Sequence, residues 1–203
     1  MILTAKQGKG TKMHLYVDGE YRFTVSRDFW LSCGVYSGQE LSDEGFCSLC
    51  EQAEHYSAKQ RAYRILSQRE HSQRELSDKL ARSFPRKLAE RVTDEMIEYG
   101  YIHDDEYAKI LARELAERKK FGAARIRMEL KKRGINNDDI EEAMAELEEE
   151  DFKERIYALL ETKFSRDLDT EKGRRKVFSA LMRFGYSSDD IRSCMREFIL
   201  DEQ

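Results

Sequence analysis

Gly122-Ala-Ala-Arg-Ile-Arg-Met-Glu-Leu-Lys-Lys-Arg-Gly-Ile-Asn-Asn-Asp-Asp-Ile-Glu-Glu-Ala-Met144 recurs 51 residues further on as Gly173-Arg-Arg-Lys-Val-Phe-Ser-Ala-Leu-Met-Arg-Phe-Gly-Tyr-Ser-Ser-Asp-Asp-Ile-Arg-Ser-Cys-Met195. No gap is needed, and seven of the 23 positions are identical: the pairs are Gly122 and Gly173, Leu130 and Leu181, Gly134 and Gly185, Asp138 and Asp189, Asp139 and Asp190, Ile140 and Ile191, and Met144 and Met195. Repetition at a period near 50 points to stacked helical units. Ile126 with Leu130, and Val177 with Leu181, line one face of a helix. Gly134 and Gly185 suit the left-handed residue just past a helix end, with Ile135 or Tyr186 folding back on the preceding leucine. Asn-Asn-Asp-Asp and Ser-Ser-Asp-Asp then supply caps and first-turn carboxylates for the next helix. The unit reads as helix, glycine stop, capped helix.

A third, weaker copy precedes these two. Leu76 and Leu80 match Ile126 and Leu130 at an offset of 50, and Val92 and Met96 match Ile140 and Met144 at an offset of 48. Ser72-Gln-Arg-Glu75 forms a capping box, Pro85 fits a first helical turn, and Tyr101 after Gly100 is expected to fold back on Met96. Another helix leads into each pair, over 57–69, 104–120 and 151–164. Asp104-Asp105-Glu106 starts the second of these, and the acidic stretch Glu146 to Asp151 reads as a solvated helix end.

The N-terminal stretch differs from the rest. Leu15, Val17, Tyr21, Phe23 and Val25 alternate with polar neighbours around Asp18-Gly19, the signature of a hairpin. Ile2 to Gln7 is expected to add a third strand, Asp28 to Cys33 a short helix stopped at Gly34, and Asp43 to Tyr56 a further helix. The expected fold is therefore mainly all-α, with a small N-terminal β-hairpin or sheet extension over 1–56. Three tandem three-helix repeats follow, over 57–102, 103–149 and 150–203. Units this small need neighbours to complete their burial.

Composition narrows the function. Of 203 residues 37% are charged, and 36 basic against 40 acidic residues leave a net charge of −4. No basic tail argues for non-specific nucleic-acid binding. No apolar run is long enough to span a membrane, and the N-terminus lacks the layout of a signal peptide. Four cysteines form no evident disulfide framework, so a reducing cytoplasm is the default expectation.

Candidate chemistry is sparse. Cys47-Ser-Leu-Cys50, with Cys33 and His55, is short of the second pair that a zinc site needs, so buried apolar cysteines are expected. The carboxylate pairs all stand where helices begin, which the helix dipole explains. His14, His55, His71 and His103 have no partnered nucleophile, and phosphate-binding and dinucleotide motifs are absent. No catalytic residue, metal or cofactor is assigned.

The remaining signal is basic. Arg118, Lys119, Lys120, Arg125, Arg127, Lys131, Lys132 and Arg133 fall in one stretch, with Glu129 its single acid, and Arg174, Arg175, Lys176 and Arg183 fall on the matching helix of the last copy. For any one of these a solvated helix face is the plain reading. As a set they form a patch able to meet phosphates or an acidic protein surface. Charge reversal of Lys131, Lys132 and Arg133 is expected to weaken partner binding and spare the helices.

With these residues in view, the chain resembles the RecX family, regulators of the RecA recombinase. The resemblance rests on Leu66-Ser-Gln-Arg-Glu-His-Ser-Gln-Arg-Glu-Leu-Ser-Asp-Lys-Leu80, Gly100-Tyr-Ile-His-Asp-Asp-Glu-Tyr-Ala108 and Phe121-Gly-Ala-Ala-Arg-Ile-Arg-Met-Glu-Leu-Lys-Lys-Arg-Gly-Ile135. It covers about residues 57–200, and the hairpin Tyr16-Val-Asp-Gly-Glu-Tyr-Arg-Phe23 is similar to the extension of some members. His103 departs from the pattern, which carries an acidic or small polar residue there. The resemblance implies an elongated, curved array of three-helix repeats lying in the groove of the RecA filament on single-stranded DNA. It implies a monomer that limits filament extension and with it ATPase, strand-exchange and coprotease activity, the basic helices facing DNA or acidic RecA surface. The rival reading is a stand-alone helical DNA-binding module, like a transcription factor, using helix 122–133 or 173–184 in a groove. Net acidity argues against it, and the empty motif search argues against an enzyme.

Overall fold

Asp18 and Gly19 both take positive φ, 51° and 87°, and this turn joins β2 (Lys12–Val17) to β3 (Glu20–Ser26) in the computed structural model, which describes residues 1–147 and 149–201. With β1 (Leu3–Gln7) they form an antiparallel sheet in the order β1-β2-β3, as the alternation predicts. Leu3, Leu15, Val17 and Val25 turn inward against Phe29 and Leu49. Phe29 lies on α1 (Arg27–Ser32), whose first turn is capped by the Ser26 hydroxyl accepting the Phe29 N–H at 3.1 Å.

Helix α2 runs unbroken from Asp43 to Leu66, so the two helices expected over 43–56 and 57–69 are one. From Phe46 to Leu66 the chain has no glycine or proline, and Ser57 stays exposed on the helix surface instead of capping a new start. The first half of α2 contributes Leu49 to the sheet core, and its second half buries Ala58, Ala62 and Ile65. Helices α3 (Gln73–Leu80) and α4 (Arg86–Glu98) follow. The Glu95 carboxylate of α4 meets His55 at 2.5 Å and Lys59 at 3.2 Å, both on α2. Met1–Arg69 and Leu76–Glu98 make one compact unit, and the second comprises Glu70–Glu75 with the described chain from Tyr99 onward.

The second unit holds the two best copies of the repeat. The first comprises α5 (Asp104–Glu117), α6 (Ala123–Lys132) and α7 (Asn137–Ala145). The second comprises α8 (Glu149–Leu159), α9 (Glu171–Phe184) and α10 (Ser188–Asp201). Each copy has its own core, around Ile126, Leu130, Ile140 and Met144 in one and Val177, Leu181, Ile191 and Met195 in the other. The glycine stops form as expected. Gly134 and Gly185 have φ of 83° and 94°, Ile135 N–H donates to the Leu130 carbonyl, and Tyr186 N–H donates to that of Leu181, each at 3.3 Å. The caps also form: Asn136 accepts the Asp139 N–H at 2.8 Å, and Ser187 accepts that of Asp190 at 3.1 Å.

Three local expectations change. The helix expected to reach residue 164 is α-helical only to Leu159 and continues as a π turn, Leu160–Phe164, which turns Leu160 and Phe164 into the core. Tyr101 stays 55% exposed, and the next residue, Ile102, is the buried one at 5%. Cys47 is exposed and Cys50 half-buried, because their shared face of α2 lies toward the helix surface; Cys194 is buried. The acidic stretch from Glu146 to Asp151 includes Glu148, which lies outside the described residues, so its reading as one solvated helix end is not traced through.

Candidate interaction surface

The core positions Ile126 and Leu130 fix which side of α6 faces outward. Helical spacing then puts Arg127, Met128 and Lys131 on the open side, where Met128 is 38% exposed. With Lys132 and Asn137 they border a shallow groove of about 450 Å³ between α6 and α7, floored by Ile140. Met182, the counterpart of Lys131 on α9, is 45% exposed beside Arg183.

Most of the predicted patch is already engaged. Arg127 makes two hydrogen bonds to the Glu141 carboxylate, both 2.9 Å, tying α6 to α7. Those bonds push the Arg127 guanidinium above its usual range and hold the Glu141 carboxyl below the usual carboxylate range. Arg125 and Lys132 share Glu129, at 2.8 and 3.2 Å, and Arg118 holds Glu114 at 2.7 Å. On α9, Arg175 pairs with Glu171, Lys176 lies 3.6 Å from Asp167, and Arg174 donates to the Leu168 carbonyl at 2.7 Å. Lys119, Lys120, Lys131 and Arg183 have no acidic partner among the described residues. Exposed pairs of this kind are weak and exchange readily with another anion.

The tie between Arg127 and Glu141 has a counterpart of different chemistry. The matching positions in the last copy are Phe178 and Arg192, and there the guanidinium sits 5.7 Å from the ring centroid. In the first copy they are Ser77 and Thr93, both buried. One register position thus links or lines the second and third helices in each copy, by an ion pair, a cation–π contact or small polar side chains.

Arg133 belongs to a different structure. Its Nη1 donates to Glu75 at 3.0 Å and to the Tyr107 hydroxyl at 2.7 Å, while its carbonyl accepts the Ser72 hydroxyl. The Ser72 hydroxyl also accepts the Glu75 N–H at 3.1 Å, so the capping box at the start of α3 doubles as a socket for the end of α6. Asp104 accepts the Gln73 N–H at 2.9 Å beside this socket. Burial raises the Asp104 carboxyl, the Gln73 bond lowers it, and nearby Asp139, Asp105 and Glu75 raise it, leaving it above the usual range. Sequence reading placed Arg133 in the patch. The capping box was the available sign that something seats there.

The other candidates keep structural roles. His71 is buried, the His103 ring meets the Gly100 carbonyl at 3.0 Å, and His14 meets the Thr24 hydroxyl at 2.7 Å. Burial pushes the Cys50 and Cys194 thiols above their usual range, which disfavours thiolate chemistry. Among the described residues no three His, Cys, Asp or Glu side chains gather where a metal could be held. No described helix is long and apolar enough to cross a membrane.

Two family models match the helical units: RecX, first three-helix domain, over residues 58–96, and RecX, second three-helix domain, over 104–144. The regulatory protein RecX of Caldanaerobacter subterraneus subsp. tengcongensis is 27% identical over 183 residues, 88% of this chain and 92% of that protein. That of Clostridioides difficile is 25% identical over 190 residues, 93% and 90% of the two chains. A crystal structure of regulatory protein RecX shares the fold with a TM-score of 0.72 at 22% identity, over 96% of this chain and 97% of that one. RecX from Lactobacillus salivarius does so with a TM-score of 0.63 at 23% identity, over 72% and 97%. The chain thus carries helical units similar to the first and second three-helix domains of RecX and is similar along most of its length to regulatory RecX proteins.

Proposed function

We propose that this chain is a regulator that docks on the RecA filament assembled on single-stranded DNA and limits its extension, so that ATP hydrolysis, strand exchange and coprotease activity fall. The matches of residues 58–96 and 104–144 to the three-helix domains of a family of regulatory proteins carry the reading. We assign the repeats to 57–102, 103–149 and 150–203, and the protein acts as a cytoplasmic monomer without catalysis of its own.

The contact is made by outward cations beside exposed methionines: Lys119, Lys131 and Met128 in the middle copy, and Arg183 with Met182 in the last. A mixed face of this kind suits an acidic protein surface with an apolar centre, because the methionines adapt to irregular shapes. Arg118, Arg125, Arg127, Lys132, Arg174, Arg175 and Lys176 form a second tier, available when their carboxylate or carbonyl partners let go. Arg133 contributes by holding α6 in place.

The test is RecA ATP hydrolysis on single-stranded DNA with this protein added at comparable ratios. Hydrolysis is expected to fall, and Lys131→Glu combined with Arg183→Glu to restore it while helicity stays unchanged. Undiminished hydrolysis together with tight binding to bare duplex would favour a stand-alone DNA-binding module instead.

A further inference from the structure

The two edges of the N-terminal sheet are treated differently. The β1 edge is closed by its own chain: Leu3 N–H donates to the Gln39 carbonyl at 2.9 Å, Gly38 N–H to the Leu3 carbonyl at 2.7 Å, and Ala5 N–H to the Ser37 hydroxyl at 3.0 Å. Among the described residues the β3 edge pairs with no strand beyond β2. Its register determines which groups are left over. Arg27 N–H donates to the Thr11 carbonyl at 2.7 Å, and Val25 stands opposite Met13, so these alternate residues turn their main chain toward β2. By the alternation of an antiparallel ladder, the N–H and carbonyl of Thr24 and the N–H of Ser26 point away from it.

That open edge is one wall of a cleft of about 900 Å³. The facing wall is α2, contributing Tyr56, Arg61 and Arg64, and Phe84 joins from the turn between α3 and α4. Arg61 and Arg64 are exposed, lie three residues apart on one helix face, and have no acidic partner among the described residues. Elsewhere Arg86, Arg118 and Arg127 each hold a carboxylate. Arg61 and Arg64 thus leave two guanidiniums available beside an open strand edge.

We propose that this cleft takes an extended peptide segment with an acidic end, added as a fourth strand along β3, its carboxylates held by Arg61 and Arg64. Main-chain pairing supplies affinity that side chains alone would not, and planar guanidiniums suit a carboxylate. A nucleic acid fits the same space less well. Asp28 and Glu54 also line the cleft and would repel a phosphate chain along its length, whereas a peptide concentrates its negative charge at one end.

The experiment uses the full chain and a library of fluorescein-labelled hexapeptides ending in Glu-Glu, with the other four positions randomised, read by anisotropy and by amide hydrogen exchange. Selected peptides are expected to saturate the protein, to slow exchange at Thr24 and Ser26, and to lose binding when their alternate amides are N-methylated. The double variant Arg61→Glu, Arg64→Glu, altered only at exposed positions, is expected to bind at least tenfold more weakly with unchanged circular dichroism. Failure of every member to bind at millimolar concentration overturns the proposal. So does binding that leaves Thr24 exchange untouched or ignores the double variant. Oligothymidylate that protects Thr24 where no peptide does would assign the cleft to nucleic acid instead.

Discussion

The carbonyl of Phe184 accepts the N–H of Gly122 at 2.8 Å, so the end of α9 is seated on the start of α6. Ala124 N–H donates to the Gly185 carbonyl at 3.1 Å, the Tyr186 hydroxyl to the Lys120 carbonyl at 2.7 Å, and the rings of Phe121 and Phe184 meet edge to face at 5.9 Å. Arg133 and Ser72 occupy the matching positions one copy earlier, and there too the later carbonyl finds the earlier cap. Orphan carbonyls at one helix end satisfy orphan N–H groups at the other, and the dipoles run head to tail.

Gly122 is glycine because of that seat. A Cβ placed there would lie 2.5 Å from the backbone carbonyl of Gly185, and backbone cannot step aside as a side-chain tip can. Gly122→Ala is expected to destabilise the protein by about 1–3 kcal/mol, the usual range for overpacking. Urea denaturation followed at the Tyr and Phe signals checks this. An unchanged midpoint would mean that the two helices separate without cost.

Arg133 and Glu75 should behave as a coupled pair. Their side chains are 36% and 19% exposed, so solvent screens them in part. Arg133→Met is expected to cost about 1–2 kcal/mol, because that screening reduces the roughly 1.5–3 kcal/mol of a hydrogen bond to a charged group. In a double-mutant cycle, Glu75→Gln should recover part of the loss. Lys131→Glu, two residues away and without an acidic partner among the described residues, should leave stability within about 0.5 kcal/mol. The triple reversal of Lys131, Lys132 and Arg133 therefore mixes binding with folding, and Lys131 is the cleaner probe.

Leu130 and Leu181 are fully buried at equivalent places in two copies. Leu130→Ala and Leu181→Ala are each expected to cost about 2–5 kcal/mol. Chemical denaturation of each variant reads the cost. A change within noise at either position would contradict the register of the repeat.

Glu95 carries a pH dependence. Burial raises its carboxyl, but the bonds from His55 and Lys59 outweigh it, and the net position is below the ordinary value of 4.5. A carboxyl depressed in the folded state adds stability above its unfolded pKa and loses it as pH falls through the folded one. Stability should thus fall as pH drops below about 4.5. Glu95→Gln should flatten that part of the acid titration, as measured by thermal unfolding across pH 2–6 (roughly the carboxylate range). An identical acid slope in the variant would show that the contact with α2 is too screened to matter.

Local start and stop chemistry was legible in the residues themselves. The glycine stops at Gly134 and Gly185, the caps at Asn136 and Ser187, and the box from Ser72 to Glu75 depend on neighbours within six positions, and all formed as read. The continuity of α2 was harder to read, because Ser57 resembles a cap and only the absence of a breaker says otherwise. The partners of the basic residues were out of reach. Arg127 finds Glu141 across a turn, and Arg133 finds Glu75 at a separation of 58, so neither pair leaves a pattern in spacing. Gly122 was visibly shared between copies, yet its purpose lies in the backbone of a segment more than 60 positions away.

Helix α2, at 24 residues, is a rod about 36 Å long. Its first half is clamped in the sheet core, and its second half is tied to α4 through His55, Lys59 and Glu95. Tension applied at Met1 would pass through the sheet into that rod and reach α4 without crossing a flexible joint. Between Phe46 and Leu66 a stretched molecule has no hinge at which to yield, so in a pulling experiment the strands and the first helices should let go in one step.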